Sequence, residues 1–233
     1  MVRKEPIVDR DFNIHGFEVL TWHGKFGNDR KALSVIFSQA EEESVRLFIN
    51  LPPSVLLFQS REIHSLLLEL NSIVPIVVEI LEVEPYDPKA FPRFPFPYAV
   101  DDWGTGFSNL SVLLEILELP NFAYVKIDRT VFVPLLREKV GRKFLTCLSE
   151  LITEKGKTVV FEKVESEKEF MELCYLSPEP TLFQGFYVSR VVEERKNGLR
   201  RNKLAINRKK GESHVESGAT GSFSFRDRSA SGN

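Results

Sequence analysis

Residues 75–83 read Pro75-Ile76-Val77-Val78-Glu79-Ile80-Leu81-Glu82-Val83. Val and Ile are stiff at χ1 and favour extended backbone. The run is apolar at odd and even positions alike, so a strand built from it is buried on both faces, as in a parallel sheet covered by helices. Comparable runs occupy Val45–Leu51, Tyr98–Asp101, Ala123–Ile127, Thr158–Phe161 and part of Thr181–Val188. Between them lie longer amphipathic stretches that predict helices. These are Lys31–Glu43, Ser54–Leu70 with Ser54 as candidate N-cap, Ser108–Leu117, Val133–Glu154 ending at Gly156, and Glu167–Leu176. Pro85, Pro88, Pro92, Pro95 and Pro97 exclude a long helix there. Pro6–Asp9 and Gly16–Trp22 read as a hairpin around Asp11–Asn13. The alternation predicts an α/β fold, either a β/α barrel or a doubly wound open sheet. No Gly-rich phosphate turn follows the first strand, which disfavours a dinucleotide fold.

The chain has 233 residues, 31 Lys+Arg and 33 Asp+Glu, a net charge of -2 that argues against a nucleic-acid polymer as partner. Apolar residues at 42% and charged residues at 27% suit an ordinary soluble domain. Two cysteines, Cys147 and Cys174, make no disulfide framework and point to a reducing compartment. No apolar run approaches the roughly 20 residues of a membrane span. The charged start, Met1–Asp11, lacks a secretory signal, so the expected location is cytoplasmic. The near-zero net charge hides a division. From Glu193 onward there are 10 basic and 5 acidic residues, leaving 21 and 28 in residues 1–192. Residues 1–192 therefore read as an acidic barrel domain, and 193–233 as a basic, Ser/Gly-rich tail too poor in aliphatics to order itself.

The acids of the body fall at strand ends. Glu18 lies in the second strand and Asn50 ends the third. Glu79 and Glu82 sit near the end of 75–83, and Asp101-Asp102 follow Tyr98–Val100. Lys126 and Asp128 share a face by period two, Glu162 and Glu165 follow Thr158–Phe161, and Gln184 precedes Gly185. Any one of these also fits a helix N-cap or a solvated loop; the ordered series carries the case. In a β/α barrel the C-terminal strand ends meet at one mouth. Carboxylates converging there repel one another unless hard cations intervene, and an all-oxygen set with one Asn amide suits Mg²⁺, Mn²⁺ or Ca²⁺.

The series resembles the EAL domain family, phosphodiesterases that act on cyclic di-GMP. The resemblance runs from Glu5 to Val191 and rests on several segments. They are Glu18-Val19-Leu20, Phe48-Ile49-Asn50-Leu51, Val78-Glu79-Ile80-Leu81-Glu82, Asp101-Asp102-Trp103-Gly104-Thr105-Gly106, Lys126-Ile127-Asp128-Arg129, Glu162-Lys163-Val164-Glu165 and Gln184-Gly185. It implies a compact TIM-like β/α barrel with one antiparallel strand. It implies two Mg²⁺ or Mn²⁺ ions, the first held by Glu18, Asn50, Glu79 and Asp101, the second by Asp101 and Asp102, with Glu162 as a further ligand or general base. Lys126 would contact the attacking water, Glu82 would steady the Asp-Asp loop, and Glu165 would support the site. Gln184, Leu20 and Thr105 would lie against substrate. The implied reaction opens cyclic di-GMP to linear pGpG, and a homodimer through Asp101–Leu110 is implied as well.

Four departures from the family pattern stand out. Thr21 precedes Trp22 where the family usually has a phosphate-binding Arg, and the stretch from Glu18 to Asn50 is short. The segment Pro85–Pro97 replaces a helix, and Lys163 replaces a Gly. Lys163 either points away from the mouth or brings a compensating charge to it. The departures spare the inferred metal and catalytic positions. The first reading is thus a metal-dependent phosphodiesterase. The second is an EAL-like module that binds cyclic di-GMP or a protein partner with weak or no catalysis.

Overall fold

The computed structural model describes residues 2–21, 36, 45–58 and 61–199. Eight strands close into a barrel in chain order. They are β1 (Val2–Val8), β2 (Ile14–Thr21), β3 (Arg46–Leu51), β4 (Ile76–Ile80), β5 (Tyr98–Trp103), β6 (Phe122–Ile127), β7 (Thr158–Phe161) and β8 (Thr181–Gln184). β1 runs antiparallel to β2 and β8, and every other neighbouring pair is parallel. This is the expected TIM-like α/β barrel with one antiparallel strand. The reversal follows from a tight turn, because parallel neighbours need a long crossover. The Asp9 carboxylate accepts from the backbone N–H of Asp11 and Asn13, each at 2.9 Å, and Phe12 adopts a left-handed φ of 63°.

Among the described residues the helices include α1 (Pro53–Phe58), α2 (Arg61–Ile73), α3 (Leu110–Leu117), α4 (Arg129–Leu136), α5 (Lys139–Glu154) and α6 (Glu167–Leu176). Residues 186–199 form a further helix, α7. Asn109, Asp128 and Ser166 cap α3, α4 and α6 by accepting from backbone N–H groups of the first turn. Two sequence readings need correction. Ser54 is not the N-cap of α1 but its second residue, and its N–H donates to the Glu84 carboxylate at 2.6 Å. Pro53 takes the first position, where no N–H is needed. The expected Val133–Glu154 helix is two helices, because the chain turns extended at Glu138. Gly141 allows this: a Cβ there would lie 2.3 Å from the Leu135 carbonyl oxygen, so α5 crosses α4 with backbone in contact. The expected Lys31–Glu43 helix lies outside the described residues except for Ile36, which is helical and buried.

The barrel interior is layered. Ile7, Phe48, Val77, Ala99, Tyr124, Val160 and Leu182 form one apolar cluster that fills it. Gly16 has no side chain to offer, and a Cβ there would meet the Phe48 ring at 2.7 Å. A separate, larger core, with Leu67, Ile116, Phe132, Ile152 and Leu173 among its members, joins the outer faces of the strands to the helices. Period two along each strand puts the next inward residue one layer nearer the C-terminal mouth. There the sequence changes from apolar to Glu18, Asn50, Glu79, Asp101, Lys126, Glu162 and Gln184.

Contacts group Met1–Val192 as one unit and Glu193–Asn233 as another. In the second unit residues 193–199 are helical, and 200–233, the greater part of the tail expected to be disordered, lie outside the described residues. Among the described residues no helix is long and apolar enough to cross a membrane.

Candidate active site

Lys126 is the centre of the polar layer. Its Nζ, with no exposure, lies 2.5 Å from Glu79 Oε1, 2.7 Å from Asp101 Oδ1, 2.7 Å from Glu162 Oε1 and 3.3 Å from Glu18 Oε2. One ammonium thus faces four carboxylates supplied by four other strand ends. Burial alone would lower its affinity for a proton, but Asp101, Glu162, Glu18 and Glu79 outweigh that and raise it well above the ordinary lysine range. Burial pushes Glu79 and Glu162 well above the ordinary carboxylate range and Asp101 up to about 6. Burial works the same way on Glu18, yet Lys126 and hydrogen bonds from Gln184 and Asn50 bring its value below the ordinary one. Asn50 Nδ2 donates to Glu18 Oε1 at 2.6 Å, and Gln184 Nε2 donates to Glu18 Oε2.

Asp101 and Asp102 are consecutive, so a regular strand would send them to opposite faces. The pairing of β5 with β6 instead shifts register between Val100 and Trp103, and Asp102 has a left-handed φ of 47°. The bulge turns both carboxylates toward one point. Asp101, Asp102 and Glu162 each offer an oxygen within 4.8 Å of the others. The loop beyond is pinned by local bonds. Thr105 N–H and Oγ1 donate to the Asp102 carbonyl at 3.1 and 2.9 Å, and Gly106 N–H donates to Glu82 Oε2 at 3.0 Å. A Cβ on Gly106 would lie 2.5 Å from the Glu82 carbonyl oxygen, so only glycine lets the loop pack this close.

The residues present fit a hard cation. Asn50 Oδ1, Glu79 Oε2 and Gln184 Oε1 are buried oxygens without a hydrogen-bond partner. Buried acceptors of this kind are costly unless something positive meets them. The surrounding donors are all oxygen, the set preferred by Mg²⁺, Mn²⁺ and Ca²⁺.

Known proteins carry the same architecture. The model of the EAL domain family matches residues 30–191. The chain belongs to the EAL domain family. Cyclic di-GMP phosphodiesterase PdeH of Escherichia coli (strain K12) is 34% identical over 94 residues, covering 40% of this chain and 34% of that protein. The match therefore spans well under two thirds of that relative's length. The EAL domain protein of Listeria monocytogenes EGD-e has a TM-score of 0.63 at 21% identity, covering 85% of this chain and 91% of that one. The manganese/cyclic-di-GMP complex of Klebsiella pneumoniae BlrP1 has a TM-score of 0.58 at 22% identity, covering 79% of this chain and 54% of that one. At such identities these two structures bear on the fold alone.

Within this EAL barrel, Glu18, Asn50, Glu79, Asp101, Lys126, Glu162 and Gln184 come together. Glu82 reaches the loop and not the cluster. Leu20 shares the inward face of Glu18 one step nearer the mouth. Glu165 stands apart, 56% exposed and paired with Arg129 at 3.1 Å. It lines a cavity of about 650 Å³ beside the mouth, together with Asp102, Thr105, Arg129 and Lys163. Trp22 lies outside the described residues, and of Thr21 only the strand backbone is described.

The direction of Lys163 was left open by the sequence. Lys163 does not point away: its Nζ is 2.7 Å from Asp102 Oδ1 and also pairs with Asp128 Oδ2. Asp128, besides capping α4, therefore faces the mouth. The period-two spacing from Lys126 was the available signal for it. Burial would lower the Lys163 value, but hydrogen bonds to Asp102 and Asp128 raise it above the ordinary range.

Proposed function

We propose that this chain hydrolyses cyclic di-GMP to linear pGpG in a reaction that depends on Mg²⁺ or Mn²⁺. The observation that carries the reading is the polar layer itself, in which Glu18, Glu79 and Asp101 surround Lys126, Asn50 bonds to Glu18, and buried oxygens of Asn50 and Glu79 are left without a hydrogen-bond partner. These four residues would hold an ion. A bound divalent ion supplies charge to the phosphate oxygens and lowers the pKa of water. Everything else is done by the chain's own groups. Lys126, held protonated, orients the attacking water and offsets negative charge as the P–O ester bond breaks. Glu162, whose burial raises its affinity for a proton, accepts one from that water. Gln184 and Asn50 fix the Glu18 carboxylate, and Glu82 fixes the loop that carries Asp102. The cavity beside the mouth, lined by Thr105, Arg129 and Lys163, takes part of the anionic substrate, and Leu20 and Gln184 at the mouth lie against the rest.

Support comes from the family membership and from the similarity to PdeH, a cyclic di-GMP phosphodiesterase. We further propose residues 1–192 as the catalytic domain, a cytoplasmic location, and a homodimer through the Asp101–Leu110 segment. The test is incubation of the purified chain with cyclic di-GMP and Mn²⁺ or Mg²⁺, followed by chromatography of the products. The expected outcome is pGpG that requires the ion and is lost in Glu18→Ala. Binding of cyclic di-GMP without any pGpG would overturn the reading.

A further inference from the structure

Two positions in the mouth differ in what already meets their oxygens. On the Asn50–Glu79 side, Lys126 Nζ meets Glu79 Oε1 at 2.5 Å yet leaves Asn50 Oδ1 and Glu79 Oε2 without a hydrogen-bond partner. On the Asp102 side, an ammonium is in place: Lys163 Nζ sits 2.7 Å from Asp102 Oδ1. We propose that Lys163 is a built-in cation that takes the place of a second metal ion at Asp102, so that the chain binds one divalent ion at the mouth. This rests on the metal-dependent reading above.

Three observations support it. First, the backbone at Lys163 is held in one conformation. Its φ is 57°, a left-handed conformation that glycine adopts freely and lysine does not. Hydrogen bonds lock both neighbours, from Glu162 N–H to the Ile127 carbonyl at 3.0 Å and from Val164 N–H to the Gln184 carbonyl at 2.9 Å. Gly185 backs this turn so closely that a Cβ would lie 2.3 Å from Val164 N. Second, Lys163 is anchored on its far side. The Asp128 side chain is 2% exposed; Oδ1 accepts from Thr130, leaving Oδ2 to pair with Lys163. Expelling the ammonium would leave a buried carboxylate oxygen unpaired, which is costly. Third, ammonium and metal compete for the same Asp102 oxygen. A cation bound to Asp102 at an ordinary metal–oxygen distance would lie within about 5 Å of Nζ, across a single shared oxygen. An ammonium can satisfy Asp102, but it cannot activate water as a second ion would.

Metal stoichiometry tests this without reference to turnover. The full chain, stripped with a chelator, is titrated with Mn²⁺ by calorimetry, and the loaded protein is examined by electron paramagnetic resonance. Wild type is expected to bind one Mn²⁺ with an uncoupled six-line spectrum. Lys163→Gly, which suits the left-handed φ, is expected to bind two with a spin-coupled spectrum. Lys163→Asn, neutral and tolerant of that φ, should follow Lys163→Gly, and Lys163→Arg should stay at one. Two coupled ions in wild type would overturn the inference while leaving the metal-dependent reading intact. One ion in wild type and in both neutral variants would do the same. No Mn²⁺ bound by any of them would overturn both.

Discussion

Lys126 Nζ lies 2.5 Å from Glu79 Oε1, and neither side chain has any exposure. A pair so deep does little for stability as a pair, because desolvation of both charges offsets their attraction. Removing one partner is a different matter. Lys126→Met would leave Glu18, Glu79, Asp101 and Glu162 facing one another without a counter-charge. The expected loss is about 3–5 kcal/mol in metal-free protein, read from urea unfolding in chelator. Mn²⁺ should recover much of that loss, since it supplies the missing positive charge. Turnover should stay absent in the recovered protein.

Glu79→Gln should behave in the opposite way. Burial favours the neutral form of Glu79, and Gln is neutral at nearly the same volume. Metal-free stability is expected to hold or rise in thermal melts. Mn²⁺ affinity, measured by calorimetry, should fall by at least roughly tenfold, the scale seen even for groups that only support a ligand. Unchanged affinity would remove Glu79 from the metal site.

Asp128 gives a pH dependence of definite sign. Burial alone would raise its value, but hydrogen bonds from Lys163 and Thr130 outweigh that and lower it from 3.8 to about 2. A carboxylate lowered on folding stabilises the folded form above its unfolded value and loses that contribution as pH falls through the folded one. Asp128→Asn keeps a capping oxygen but no charge. The stability gap between wild type and this variant should be full above pH of about 4 and shrink toward pH 2, in urea titrations at stepped pH. A gap that grows on acidification would contradict the pairing with Lys163.

The Asp101–Leu110 segment carries two large apolar side chains in solvent, Phe107 at 50% and Leu110 at 51% exposure. Burial of such groups is what a homodimer through this segment would gain. Light scattering should show a dimer for wild type and a monomer for Phe107→Asp. A monomeric wild type at tens of micromolar would refute the proposed pairing.

The amino-acid order by itself determined the alternation of strands and helices, because runs apolar on both faces have few other ways to be buried. It also determined that acids, one Asn and one Lys recur at strand ends, and period two placed them on inward faces. Local chemistry went astray where a contact remote in sequence decided the outcome. Gly141 looks like an ordinary helix interior until the Leu135 carbonyl is found against it. Ser54 looks like a cap until Pro53 and Glu84 take over the turn. Only the tertiary structure decided how the paired aspartates are used. Alternation along β5 would separate Asp101 from Asp102, and it is the shifted register with β6 that brings both to Glu162. The same holds for Lys163, whose alternatives of facing outward or inward were equal in sequence. A left-handed backbone, locked by the neighbouring strands, turns it inward, and Asp102 and Asp128 lie within reach of its ammonium there.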